Sequence, residues 1–189
     1  MRLDHIAYRV KDRHETARFF NEAFGYEIGT EFQIEFDDGS KADCLALIPS
    51  EDRHVDTGEW DVLLADAPDD KIKKSEVEFH SYHAPPEIFV SDGTAGSIVG
   101  DWVKERGDVG GIHHIAYQVA DVKKAMEEWK DKGYVEFYSE EPISCKDPNL
   151  VQVFTKPSEL TGVVYELISR EGDGFCKDSV KSLMESTKK

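Results

Sequence analysis

The stretch Leu3-Asp4-His5-Ile6-Ala7-Tyr8-Arg9-Val10 returns as Ile112-His113-His114-Ile115-Ala116-Tyr117-Gln118-Val119. His5 and His114 stand 109 positions apart, and Ile, Ala, Tyr and Val follow each at the same offsets. An aspartate, Asp12 or Asp121, then opens a helix-like stretch in both copies. Self-similarity at one fixed spacing marks a duplicated structural unit. Strand alternation sets His5, Ala7 and Arg9 on one face, opposite Ile6, Tyr8 and Val10, and it turns His113 away from the face of His114. Two such strands packed about a pseudo-twofold axis would bring the imidazoles of His5 and His114 to one point.

Working outward, residues 13–24 read as a helix with Ala17, Phe20 and Phe24 on one stripe, closed by Gly25. Strands are expected at 31–36 and 43–48, joined by Asp37-Asp38-Gly39-Ser40, a hairpin signal. Residues 49–84 are charged and irregular, an insertion with strand candidates at 60–65 and 77–82. A strand at 87–91 closes the first module. Ser97 then caps a helix over 98–106 with Ile98, Val99, Trp102 and Val103 inward.

The break falls at 107–111, and the order repeats: a strand at 112–119, then a helix at 122–132. That helix carries Val122, Ala125, Met126 and Trp129 on one face and ends at Gly133. Strands follow at 135–138, 150–155 and 162–169, and a last helix at 177–186 buries Val180, Leu183 and Met184. Neither half could close a sheet around a core alone. The expected fold is α+β: two tandem βαβββ modules, 1–107 and 111–189, in one compact unit with facing curved mixed sheets around a central metal cleft.

Composition excludes several functions. The net charge of −16 comes from 39 acids against 23 bases spread along the 189 residues. Phosphate backbones and anionic membrane surfaces are repelled, so nucleic-acid and membrane partners are not expected. Cys44, Cys145 and Cys176 are odd in number, widely spaced and without a C-x-x-C pair. No disulfide framework is expected, each cysteine reads as a small apolar or surface residue, and a reducing cytoplasm is the expected location. Asp4, Lys11 and Asp12 interrupt any signal-peptide core, and no apolar run approaches a membrane span.

The chemistry is expected at His5, His114 and Glu166. Glu166 is the one acid in the apolar run Val163-Val164-Tyr165-Glu166-Leu167-Ile168. An unpaired carboxylate buried in a strand costs several kcal/mol, so it needs a cation or a bonded partner; on an edge strand it would instead face solvent. Two imidazoles and one carboxylate suit Fe(II), with positions left for substrate and oxygen. Glu87, in Pro86-Glu87-Ile88-Phe89-Val90, holds in the first module the place of Glu166 in the second, and symmetry makes it a fourth candidate. Four ligands favour Lewis-acid proton transfer, whereas three leave room for oxygen. His80 and His83 form an H-x-x-H pair that strand alternation would split across two faces, a surface loop rather than a second site. No G-x-S-x-G, P-loop or G-x-G-x-x-G pattern occurs.

The tandem Asp-His-Ile-Ala and His-His-Ile-Ala strands with the later Glu strand resemble the vicinal-oxygen-chelate superfamily of paired βαβββ modules. That resemblance implies metal ligands at His5, Glu87, His114 and Glu166. The C-terminal third is similar to 4-hydroxyphenylpyruvate dioxygenases through Leu150-Val151-Gln152-Val153-Phe154-Thr155-Lys156-Pro157, Tyr165-Glu166-Leu167-Ile168-Ser169-Arg170 and Gly174-Phe175. It implies an Fe(II) triad of His5, His114 and Glu166 acting on a small 2-oxo acid, with Gln152, Phe154 and Phe175 lining the pocket. The chain departs from that family in lacking a further N-terminal module pair, in Val180 where the family has an aromatic ring, and in Cys176 where it has glycine. The middle, from residue 87 to 103 and again from 111 to 117, resembles methylmalonyl-CoA epimerases. That likeness implies an isomerase or lyase of acyl thioesters or oxo acids, using Co(II), Zn(II), Ni(II) or Mn(II) with Glu87 as fourth ligand. Glyoxalase I shares that ligand logic. Non-catalytic small-molecule binders of the superfamily form a third class, and a homodimer is compatible with all three.

Overall fold

Both copies of the repeat are strands, β1 (Arg2–Arg9) and β5 (Gly111–Gln118), and they pair antiparallel at the middle of one sheet. The computed structural model describes residues 2–49, 86–145, 149–170 and 175–187. The remaining strands are β2 (Tyr26–Glu35), β3 (Lys41–Pro49), β4 (Glu87–Gly93), β6 (Ile143–Cys145), β7 (Leu150–Phe154) and β8 (Val164–Arg170). They form a curled mixed sheet in the order β2-β3-β4-β1-β5-β8-β7-β6. Each half has the same wiring. β1 runs parallel to β4 and β5 parallel to β8, and the other neighbours within each half are antiparallel. The curved sheets of the halves thus join edge to edge through β1 and β5 into a half-barrel.

Four described helices cover this sheet: α1 (Arg13–Phe24), α2 (Ile98–Glu105), α3 (Val122–Asp131) and α4 (Lys177–Ser186). Asp12 and Asp121 cap α1 and α3 alike, each accepting from the backbone N–H three residues on. Gly25 ends α1 at φ 73°, a left-handed conformation that suits glycine. Ala17 and Phe20 of α1 pack with Tyr26, Leu45, Leu47, Ile88 and Val90, and Val122 and Met126 of α3 pack with Val153 and Leu167. On the opposite face, Val99 of α2 and Val180 and Met184 of α4 close over Ala7, Ile34, Cys44 and Phe89. That inner face holds the cavity.

Strand alternation fails at two places, and both shape the site. Leu3 faces Tyr117 while Ile6 faces Ile115, so β1 carries one extra residue at Asp4-His5. Ala7 faces His114 while Tyr8 faces Ile112, so β5 carries an extra residue at His113. These are β-bulges, which place two successive residues against one on the partner strand. Asp4, His5, His113 and His114 are consequently all buried.

Other expectations need correction. Residues 135–138 make only one bridge, Phe137 to Thr155, because β6 takes the place beside β7. Phe24 lies a turn past the buried part of α1 and is 49% exposed. Cys145 and Cys176 form a disulfide joining β6 to the N-cap of α4, since sheet and helix bring their Cα atoms to 6.4 Å. The cysteine argument for a reducing compartment therefore loses its premise; only Cys44 is free, and it is buried. Among the described residues no helix is long and apolar enough to cross a membrane. The expected strands at 60–65 and 77–82, with His80 and His83, lie outside the described residues.

Candidate metal centre

His5 of β1, His114 of β5 and Glu166 of β8 come together on the inner face, every ligand atom within 4.8 Å of the others. His5 Nε2 lies 3.2 Å from His114 Nε2 and 3.3 Å from Glu166 Oε2, and His114 Nε2 lies 3.0 Å from that oxygen. Donors about 2.1 Å from one ion and at right angles to each other stand about 3 Å apart, the spacing of one face of a coordination sphere. β8 lies inside the sheet, between β5 and β7, so Glu166 does not face solvent and is 1% exposed. Its Oε1 is buried with no hydrogen-bond partner, which a cation would supply.

The bulges place an orienting residue directly before each histidine. Asp4 Oδ1 accepts from His5 Nδ1 at 2.8 Å. A carboxylate only accepts, so Nδ1 carries a proton and Nε2 faces the centre. His113 Nδ1 lies 2.8 Å from His114 Nδ1 and can hold the second imidazole in the same way. Arg170 secures Asp4 through Nε at 3.1 Å and extends to Glu87 Oε2 at 2.9 Å. Although Glu87 pairs with His5 in the β1–β4 register, its carboxylate is held by Arg170 and does not join the cluster.

Charge is unevenly shared. Burial pulls the His5 imidazole down, but Glu166 and Asp4 outweigh it and lift its pKa to about 9. Burial dominates at His114 and lowers it to about 4, against the bond from Glu166. Burial would raise Glu166, yet His5 and both imidazole hydrogen bonds bring it to about 2. At neutral pH the metal-free protein thus carries one added proton on His5, in the place a dication would take.

The centre opens into a cavity of about 30 Å³ walled by Phe89, Gln152, Phe154, Phe175, Val180 and Leu183. Phe175 stands edge-on to His5 at 5.1 Å and Phe154 lies 4.6 Å from His114. Gln152 donates to Ser179 Oγ at 2.8 Å, and Ser179 donates to the Cys176 carbonyl, fastening α4 over the opening. Asp4, His113 and Arg170 were not expected here. The repeat already aligned Asp4 with His113, each a polar residue ahead of a histidine, but a regular strand hid the meaning.

Known proteins share this architecture. The glyoxalase/bleomycin resistance protein/dioxygenase superfamily matches residues 4–147. The chain belongs to that superfamily. A triple mutant of 4-hydroxymandelate synthase from Streptomyces coelicolor superposes with a TM-score of 0.69 at 18% identity, over 98% of this chain and 52% of that one. This superfamily member thus spans about half the synthase's length. A methylmalonyl-CoA epimerase matches with a TM-score of 0.61 at 18% identity, over 91% of this chain and 97% of that one. A variant of the Streptomyces coelicolor epimerase in complex with 2-nitronate-propionyl-CoA gives 0.55 at 21% identity, over 91% and 99%. No match was found among curated protein sequences.

Proposed function

We propose that the protein is an Fe(II)-dependent dioxygenase acting on a small 2-oxo acid, with His5, His114 and Glu166 as the iron ligands. The observation that carries this reading is the engagement of Glu87 by Arg170, which leaves three converging donors instead of four. An Fe(II) ion held on one face would supply Lewis-acid and one-electron chemistry on its other side. The protein's own share is positioning. Asp4 and His113 fix the imidazoles, and Phe89, Phe154 and Phe175 keep the cavity dry. Among the described residues no carboxylate other than Glu166 lines the cavity, so proton abstraction by a second carboxylate finds no support there.

An epimerase or lyase working through an enolate is the second reading, supported by the near full-length overlap with methylmalonyl-CoA epimerase. An oxygen electrode with Fe(II)-loaded protein and a panel of 2-oxo acids separates the two. Substrate-dependent oxygen uptake is expected. No uptake, combined with Co(II)- or Ni(II)-supported exchange of a substrate α-proton, would replace the dioxygenase with the isomerase.

A further inference from the structure

Two guanidinium groups, those of Arg9 and Arg106, meet at one indole ring without an anion among the described residues. The partly buried arginines Arg13 and Arg170 meet carboxylates: Arg13 bonds Asp92, and Arg170 bonds Asp4 and Glu87. Arg9 is 3% exposed, yet among the described residues its guanidinium has no ion pair and no hydrogen bond, and its Cζ lies 5.9 Å from the centre of the Trp102 ring. Arg106, an exposed residue, stacks on the same ring at 3.7 Å and has no ion pair among those residues. Both line a second cavity of about 350 Å³ with Trp102, His113 and Tyr138. This is the size of a small-molecule site. It shares Arg9 and His113 with the small cavity at the centre. Its acids, Asp101 and Glu105, are exposed, and Asp101 already accepts from the Gly96 N–H.

Burying a cation without a partner is unfavourable, and two like charges near one ring add repulsion. Burial, reinforced by Arg106, lowers Arg9 to about 9, so it stays charged at neutral pH. A bound oxyanion resolves this arrangement, and a guanidinium fork suits a carboxylate or phosphate.

We propose that the second cavity binds an oxyanion on the substrate's far end, a carboxylate or phosphate held by Arg9 within and Arg106 at the rim, while the reacting end enters the centre. The proposal rests on reading the centre as a substrate site. The inner 30 Å³ admits little beyond the reacting atoms, so the body of the molecule needs the larger space.

Calorimetry with pyruvate, 2-oxoglutarate and phosphonopyruvate tests it, on Mn(II)-loaded and on chelator-treated protein with metal content measured in the same samples. Wild type should bind at least one of the two longer anions about tenfold or more tighter than pyruvate, and which one names carboxylate or phosphate. Arg9→Met should erase that preference without lowering metal content, and its melting temperature should not fall, because an unpaired buried cation has been removed. Arg9→Lys should keep part of the preference. Equal binding of all three by wild type overturns the proposal, as does a preference intact in Arg9→Met, or a loss of stability in that variant with all ligands weakened alike. A preference that persists in protein unable to bind metal upholds the oxyanion site and defeats the metal reading instead. Metal bound stoichiometrically without any preference defeats this proposal alone.

Discussion

Asp4 and Glu87 are both carboxylates at the edge of the centre, both bonded to Arg170, and they should behave oppositely when changed. Asp4 sets the tautomer of His5, so Asp4→Ala should weaken metal binding by roughly 10–100-fold, the usual cost of removing such a partner. Glu87→Gln should leave stoichiometry and affinity nearly unchanged. Competition with a fluorescent chelator reads both, and a large loss with Glu87→Gln would restore the fourth ligand. The contrast marks how far the sequence could be read at this scale. His5, His114 and Glu166 stood out as a repeated histidine and a lone acid in an apolar strand. The part played by Asp4 was hidden because it depends on a one-residue bulge, and no alternation pattern reveals a bulge. Glu87 was placed by symmetry, and Arg170, a residue from the other end of the chain, breaks that symmetry.

The helices were the most legible elements. The expected bounds of α1 and α4 agree with those observed, since the Asp12 and Gly25 caps of α1 and the apolar stripe of α4 are local signals. Asp12 and Asp121 cap in the same geometry, so alanine at either should cost about 1 kcal/mol in urea unfolding. Equal costs are expected, and a negligible cost at one would mean that its helix is held by packing alone. The short strand β6 carries too few residues for any periodicity, and the disulfide it makes depends on tertiary approach. Changing Cys145 and Cys176 together to serine should remove about 2–4 kcal/mol, as expected for a closed loop of this size. The loss should concentrate in α4, seen as faster hydrogen exchange around Val180 and Leu183. Unaltered exchange there would mean that the Gln152–Ser179 bond suffices to hold the helix.

For the whole molecule, the three buried groups at the centre set a pH profile for the metal-free protein. The folded pKa of His5, about 9, lies above its ordinary 6.5, so its contribution is full below pH 6.5 and fades as pH rises through 9. His114 is depressed to about 4, so the unfolded chain takes up its proton first and stability falls as pH drops from 6.5 to 4. Glu166, lowered to about 2, contributes above pH 4.5 and is lost as pH falls through 2. These groups together place the optimum near pH 6.5. A bound dication takes the proton's place on His5, so the gain in melting temperature from metal should grow between pH 6.5 and 9. A gain independent of pH across that window would remove His5 from the ligand set. The duplicated architecture was legible because the repeat is written in the strands themselves. That the two curved sheets are one continuous sheet was not, because pairing between β1 and β5 is a contact made only after both halves exist.

The seam between β1 and β5 also orders events in time. In order of synthesis His5 precedes His114 by 109 residues, and Glu166 comes later still. No nascent half carries the full donor set, so a half-made chain offers a passing ion only scattered single ligands. A metal that needs all three donors would therefore load only after the two halves dock, and an occupied site would report that both have been made and joined.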